Sequence, residues 1–193
     1  MSRPDIADYL IHFTKGESTE DAFQTLGKIV GERRLIGSGR IIKGHFPCVC
    51  FSEAPLGALA GGLHNPNYYS QYSPFGIMVR KQWLFEQGGR PVIYETDLEY
   101  EGLVESHRWR HMRYEPPEID FSWEREWRIR CESLAFAPTV ASIVVADAIW
   151  AQRLVNAHDL EQDYRVMSYS MVIDLMLAEQ YREPFCWNVF TLR

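Results

Sequence analysis

The clearest pattern of polar and apolar positions runs from Asp120 to Arg130. Side chains of a β-strand alternate between its two faces, so this pattern predicts one strand. One face would carry Phe121, Trp123, Trp127 and Ile129, interrupted by Arg125, and the other would carry Ser122, Glu124, Glu126, Arg128 and Arg130. Two adjacent carboxylates on a strand can hold one carboxylate beside a reacting centre. The same pattern is also typical of a sheet face on which glutamates pair with arginines.

The residues before this segment predict a strand, a helix and a second strand. The run at 9–14 is aromatic and β-branched, as in a strand. Ser18 offers the first of several helix-start signals before an amphipathic helix, which Gly31 is expected to end. The glycines on either side of Ser38 predict a mobile loop, and a second strand is expected at 48–53.

The remaining patterns alternate between strands and helices, which predicts an α+β fold. The elements expected are a turn and strand at 72–79, strands at 91–95 and 142–146, a helix at about 147–156, a longer helix with Met167, Met171, Val172, Leu175 and Ala178 on one face, and a final strand at 186–192. A chain of 193 residues can bury a proper core, so we expect one domain over 1–193.

Composition narrows the class of protein. Hydrophobic residues make up 46% of the chain and aromatic residues 13%, as in a folded globular protein. A net charge of −6 argues against non-specific coating of nucleic acid. No apolar run approaches the roughly 18 residues of a membrane span, and the polar amino terminus does not resemble a signal peptide, so we expect a cytoplasmic protein with no membrane partner. The four cysteines (48, 50, 131 and 186) match neither a disulfide framework nor a zinc site, so free thiols and no metal are expected.

The order of four short motifs resembles the ADP-ribosyltransferase fold. These motifs are His12-Phe13-Thr14, Phe51-Ser52-Glu53, a segment centred on tyrosine, and Glu124-Arg125-Glu126. Over roughly residues 9–150, the chain is closer still to AbiGi-like abortive-infection proteins of bacteria, and it is more distantly similar to DarT-like toxins that modify DNA. It lacks the Ser-Thr-Ser tripeptide typical of arginine-specific members, and Phe51-Ser52-Glu53 stands in that place.

The resemblance implies a split β-sheet core with flanking helices and a C-terminal helical segment, with NAD as cofactor in a cleft between two small sheets. His12 would then bind a ribose hydroxyl, and Thr14 would orient His12 or contact the ligand. Tyr72 or Tyr94 would stack on nicotinamide, and Ser52 would lie at the cofactor. A core histidine bonded to backbone, and tyrosines that serve only packing, are the alternatives.

The resemblance also implies a catalytic role for two carboxylates. Glu126 would hold the nicotinamide ribose and stabilise the positive charge that develops as the glycosidic bond breaks. Glu124 would position the nucleophile or accept its proton. The arginines at 33, 34 and 40 flank a glycine-rich loop, so Arg40 and its neighbours are candidates for the NAD pyrophosphate. They could equally form a solvated basic surface.

The segment 107–114 is basic and aromatic in an otherwise acidic chain. Cations interleaved with rings suit phosphate contact and base stacking, and in the ADP-ribosyltransferase fold the loop before the glutamate strand presents the target. We therefore expect a nucleic-acid acceptor at Arg108, Trp109, Arg110 and Arg113. Alternatively, these arginines pair with the glutamates at 99, 101, 105 and 115.

Three hypotheses of function follow. The first is an NAD-dependent ADP-ribosyltransferase of a bacterial anti-phage or toxin–antitoxin system, with nucleic acid as its acceptor. The second is a catalytically inactive member of the fold that binds a cognate toxin or antitoxin. The third is an NAD glycohydrolase. The same carboxylate would serve all three, so the sequence does not separate them.

Overall fold

A computed structural model describes residues 7–54 and 73–193 of the chain. The strands in these ranges are β1 (Tyr9–Phe13), β2 (Arg34–Ile36), β3 (Cys48–Ser52), β4 (Gly76–Arg80), β5 (Arg90–Pro91), β6 (Ile93–Glu95), β7 (His111–Arg113), β8 (Glu126–Arg130), β9 (Ser133–Ala135), β10 (Ala141–Val145) and β11 (Val189–Thr191). The α-helices are α1 (Thr19–Glu32), α2 (Lys81–Glu86), α3 (Ala148–Ser170) and α4 (Leu175–Glu179), and 3-10 helices lie at Glu99–Gly102, Glu105–Arg110 and Ser122–Glu124. The predicted α+β class is confirmed.

Seven strands form one sheet in the order β11-β10-β4-β1-β3-β8-β5. Neighbouring strands are antiparallel except β10 and β11, which are parallel. β1 pairs with β4 over five residues and β3 with β8 over five, whereas β1 and β3 share the single pair Ile11–Ser52. The sheet therefore divides into two well-paired parts that meet along a narrow seam between β1 and β3.

The main core covers one face of this sheet. Its buried side chains come from the alternate positions of five strands, such as Leu10, Ile77 and Ile143, and from α1 and α3. Phe23 of α1 and Trp150 of α3 pack ring against ring, with centroids 4.9 Å apart. The two helices are thus joined to each other as well as to the sheet.

Helix α1 begins where the sequence predicts and ends later. Ser18 and Asp21 form a capping box, in which each side chain binds the backbone of the other. The helix passes Gly31 and stops after Glu32, because Arg33 adopts a left-handed conformation with φ of 51°. Arg33 thus takes the place that glycine usually occupies at a helix end.

The strand predicted over 120–130 is only half formed. Ser122–Glu124 is a 3-10 helix and Arg125 is left-handed, with φ of 45°, so the strand begins at Glu126. Within β8 the predicted alternation holds: Trp127 and Ile129 enter the main core. Before β8 it fails, and Glu124 does not share a strand face with Glu126.

Two other elements also differ from their predictions. The strand expected at 91–95 is divided between β5 and β6, which belong to different sheets. The two helices expected after residue 147 are one helix of 23 residues, α3, followed by the short α4. The apolar face predicted for the second helix is largely exposed, since Met171 and Val172 are 81% and 87% accessible.

The segment around Ser38 is held against the sheet rather than free as a mobile loop. The backbones of Ser38 and Cys48 form an antiparallel bridge, and Gly37 donates its N–H to Glu132. A Cβ atom on Gly37 would overlap the carbonyl oxygen of Cys131. The glycine is required here because two stretches of backbone approach closely.

Two glycine substitutions should therefore have opposite effects on stability. Gly37→Ala should lower the free energy of unfolding by more than about 1 kcal/mol, since the clashing atom is backbone. Gly27→Ala should raise it by about 0.5–1 kcal/mol, because Gly27 lies within α1 with no atom near its Cβ position. Urea unfolding of both variants measures the difference, and equal effects would contradict the close approach at Gly37.

Candidate functional site

The imidazole of His12 lies in the seam between β1 and β3. Its Nδ1 atom is 2.8 Å from the carbonyl oxygen of Cys50, and its ring packs edge-on against Phe51 at 5.8 Å. A carbonyl only accepts, so Nδ1 carries the proton and the neutral ring presents Nε2 as an acceptor. Burial lowers the pKa of His12, which keeps the ring neutral near pH 7. For the Nδ1 atom, the alternative of a core histidine bonded to backbone is therefore correct.

Glu126 and Arg128 form a buried ion pair on β8. Nε of Arg128 donates to one carboxylate oxygen at 2.7 Å, and a terminal nitrogen lies 3.4 Å from the other oxygen. The two residues are 7% and 3% exposed. Arg128 also donates to the carbonyl oxygens of Trp109 and His111, at 3.2 and 2.6 Å. This arrangement matches the alternative of a sheet face on which glutamate pairs with arginine.

Tyr94 and Ser52 hold the backbone around Glu126. The Tyr94 hydroxyl accepts the N–H of Glu126 at 3.1 Å, and burial raises the pKa of Tyr94 to about 12. The Ser52 hydroxyl donates to the carbonyl oxygen of Glu124 at 2.8 Å and accepts the N–H of Ala54. Both predicted cofactor residues therefore lie beside Glu126, where they fix the turn that leads into β8.

His12 and Glu126 project from opposite faces of the sheet. Ile11 is paired with Ser52, and Ser52 with Glu126, so these three side chains share one face. His12 follows Ile11 and points to the other face, where its ring meets Phe51 of the main core. The expectation that His12 and Glu126 converge on one cleft is therefore not met in this structure, although only β3 lies between their strands.

The remaining predicted cofactor residues are dispersed. Thr14 is 2% exposed, and its hydroxyl lies 3.0 and 3.3 Å from the carbonyl oxygens of Ala22 and Phe75, so it joins α1 to the sheet. Thr14 therefore has no surface to offer a ligand in this structure. Arg40 is exposed, beyond the bridge at Ser38. Tyr72 lies outside the described residues.

The basic segment 107–114 reaches the Glu126 region but is not a free cationic loop. It forms a 3-10 helix and β7, and the buried Trp109 donates its indole N–H to Ser106. Arg113 forms ion pairs with Glu115 and Asp97, and Arg108 lies 3.8 Å from Glu101. Arg108 and Arg113 thus follow the alternative in which the arginines of this segment pair with nearby glutamates, and the buried Trp109 offers little surface for base stacking.

Arg110 differs from its neighbours. Its Nε donates to the carbonyl oxygen of Pro91, and the described residues contain no carboxylate within ion-pair distance of it. Burial, followed by the nearby Arg90, lowers the pKa of Arg110. Of the predicted target residues, Arg110 is thus the one whose charge the described residues leave uncompensated by an acid.

Two features of this region have no local signal in the sequence. The first is the binding of Arg128 to two distant carbonyl groups, since the alternation places Arg128 only on a strand face. The second is a polar cluster in which Glu53 forms an ion pair with Lys81 and accepts the indole N–H of Trp127 at 2.8 Å. The alternation over 126–130 places Trp127 on the core side, but nothing local indicates its carboxylate partner.

Within 7–54 and 73–193, no group of three or more histidine, cysteine or acidic side chains is arranged to hold a metal ion. In the same ranges no helix is long and apolar enough to cross a membrane. Comparisons with protein-family models, with curated proteins and with solved structures found no match.

The buried ion pair predicts a large asymmetry between two glutamates. Glu126→Ala should lower the free energy of unfolding by about 3–5 kcal/mol, because it leaves the Arg128 charge buried and unpaired. Glu20→Ala removes the exposed pair with Arg153, whose side chains are 48% and 42% accessible, and should cost less than about 1 kcal/mol. Denaturant unfolding compares the two, and similar costs would contradict a structural role for the pair.

The lowered pKa of His12 predicts a pH dependence of stability. Below about pH 6.5, the ordinary pKa of histidine, the unfolded chain protonates His12 while the folded chain keeps it neutral, so stability falls as the pH falls. Between about pH 7 and pH 5, the free energy of unfolding of wild type should fall by up to about 1.4 kcal/mol per pH unit more than that of His12→Asn. His107→Gln, at an exposed position, should follow the wild-type curve. A parallel curve for His12→Asn would contradict the neutral imidazole.

Proposed function

We propose that the protein is an ADP-ribosyltransferase-like enzyme that binds NAD at the seam and uses Glu126 as its carboxylate. The observation that carries the proposal is the division of the sheet at Ile11–Ser52, with the residues of the expected motifs on adjacent strands there. β1 carries His12, β3 ends at Ser52, and β8 begins at Glu126. This arrangement agrees with a split-sheet core that holds a ligand between its two parts.

The ion pair is compatible with a catalytic carboxylate. A carboxylate has about four acceptor sites, and Arg128 occupies two of them. Arg128 would hold Glu126 in a fixed orientation, so that a ribose hydroxyl could bind a remaining acceptor site. The negative charge would stabilise the oxocarbenium-like transition state that forms as nicotinamide leaves. Tyr94, through its bond to the Glu126 backbone, would keep the carboxylate in position.

His12 would contribute from the other face of the seam. With Nδ1 bonded to Cys50, its Nε2 could accept a hydroxyl proton from the second ribose of NAD. One NAD molecule must then reach both faces, which requires the narrow contact between β1 and β3 to open around the His12–Cys50 bond without breaking it. Hydrogen exchange of the β1 and β3 amides, measured with and without NAD, tests this requirement directly.

A second candidate is a non-catalytic member of the fold that acts by binding a partner protein. The burial of Glu126 against Arg128 and the opposite faces of His12 and Glu126 favour it. Such a protein would retain the sheet and the ion pair without nicotinamide release. Both candidates fit a role in bacterial defence, in which the cognate protein would be a toxin or an antitoxin.

The experiment that separates the candidates measures nicotinamide release from NAD, with water, DNA or RNA as acceptor. The first candidate predicts release by wild type and a loss of about 100-fold or more in Glu126→Gln, scaled to the folded fraction. Glu124→Gln should cost less, and Glu118→Gln, at an exposed position, should match wild type. An absence of release by wild type with every acceptor contradicts the first candidate.

A matched substitution tests the role of His12. His12→Asn can keep a donor for the Cys50 carbonyl, because the asparagine amide nitrogen occupies a position similar to Nδ1, but it removes the Nε2 acceptor. NAD should bind about tenfold more weakly, which corresponds to one lost hydrogen bond, while the melting temperature near neutral pH stays close to that of wild type. Titration calorimetry gives the affinity. Unchanged affinity would remove His12 from the site.

A further inference from the structure

The second half of α3 has one buried side and, opposite to it, an exposed apolar side. Gln162 and Val166 are 2% and 4% exposed and face the rest of the protein. The other side carries Leu160, Tyr164 and Met167 and continues into Met171, directly after the last helical residue. We call these four residues the outer stripe, and their accessibilities are 55%, 62%, 52% and 81%. A helix at the surface of a globular domain normally presents polar residues outward, whereas within 7–54 and 73–193 nothing covers this apolar stripe.

The neighbouring α4 enlarges this surface. Val172, Leu175 and Met176 are 87%, 57% and 81% exposed. Together with the outer stripe they expose an area on the order of 900 Å², most of it apolar, beyond the roughly 300–600 Å² of the largest patch on a typical monomer. This area is close to the roughly 800 Å² that each partner contributes to a stable interface.

The spacing of the outer stripe identifies a fitting partner. Its residues are separated by four, three and four positions, which is the spacing of a coiled-coil seam. This spacing is the same when it is read in reverse. Two antiparallel copies of α3 therefore bring the stripe against itself, with Leu160 opposite Met171 and Tyr164 opposite Met167. Such an interface is isologous, as a two-fold dimer requires.

The charged residues beside the stripe agree with this register. Glu161 and Asp163 flank it on α3, and a parallel pairing would place each acid beside the same acid of the second copy. In the antiparallel register Glu161 comes opposite Ser170, and Asp163 comes opposite Ser168. Asp163 also already pairs with Arg182 of its own chain, at 2.8 Å. The antiparallel arrangement thus avoids like charges at the centre of the contact.

We propose that the protein forms a two-fold dimer through antiparallel packing of the outer stripes of two α3 helices. The surface lies on the side of α3 that faces away from the core, and none of its residues belongs to the seam or to the Glu126 region. The proposal does not depend on the function of the seam, because it rests on the exposed residues and spacing of α3.

Sedimentation equilibrium of the full chain at low to high micromolar concentration tests the dimer. Wild type should sediment as a dimer, and Tyr164→Glu should raise the dissociation constant by at least about 100-fold, while its circular dichroism stays unchanged because the side chain is exposed. Leu98→Glu is the matched control, since Leu98 is 89% exposed and lies outside α3 and α4. A wild type that is still monomeric at the highest concentration overturns the proposal, as does an equal loss in Leu98→Glu.

The register has its own test. Met167→Lys should weaken the dimer as Tyr164→Glu does, because each places one unpaired charge in the contact. The double variant should recover at least about tenfold of the lost affinity, since antiparallel packing sets the introduced glutamate of each copy against the introduced lysine of the other. If the double variant loses as much free energy of dimerisation as the two single variants together, the antiparallel register is overturned. Binding of a heterologous protein to a monomeric wild type would likewise overturn the dimer.

Discussion

The guanidinium of Arg128 is the interaction on which the region around β8 depends. It is 3% exposed and forms an ion pair with Glu126. It also donates to two carbonyl oxygens, one in the 3-10 helix Glu105–Arg110 and one in β7. A buried charge is tolerated only when it is paired and its donors are satisfied. Arg128 meets both conditions, so the segment that contains Trp109 and His111 is fixed to the sheet by one side chain.

The seam is the second constraint. Most adjacent strands of the sheet share several pairs, but β1 and β3 share one, and the imidazole of His12 donates to the Cys50 carbonyl beside that pair. A side chain thus links the two strands at the place where the sheet divides. Burial lowers the pKa of this ring, so local structure and protonation are coupled. Binding of NAD at the seam, as proposed above, would use polar acceptor sites. Dimerisation through α3 and α4 would depend on apolar area and shape.

The sequence by itself determined the elements whose signals are local. The first strand, the capping box at Ser18, the alternation of Trp127 and Ile129, and the strand at 141–145 follow from side-chain period and from capping chemistry, which act within a few residues. The pairing of glutamate with arginine on one face is likewise an alternative that the alternation allows. Such features require no knowledge of distant residues.

Only the tertiary structure decided the rest. The alternation before Glu126 does not reveal the left-handed conformation of Arg125. Because of this conformation the strand begins only at Glu126, and Glu124 lies outside it. The opposite faces of His12 and Glu126 follow from pairings across three strands, which no local pattern encodes. The sequence of α3 does not indicate which side of the helix the core will cover. Burial, register and ion pairing are properties of residues brought together from distant parts of the chain, so they arise only when the chain is folded.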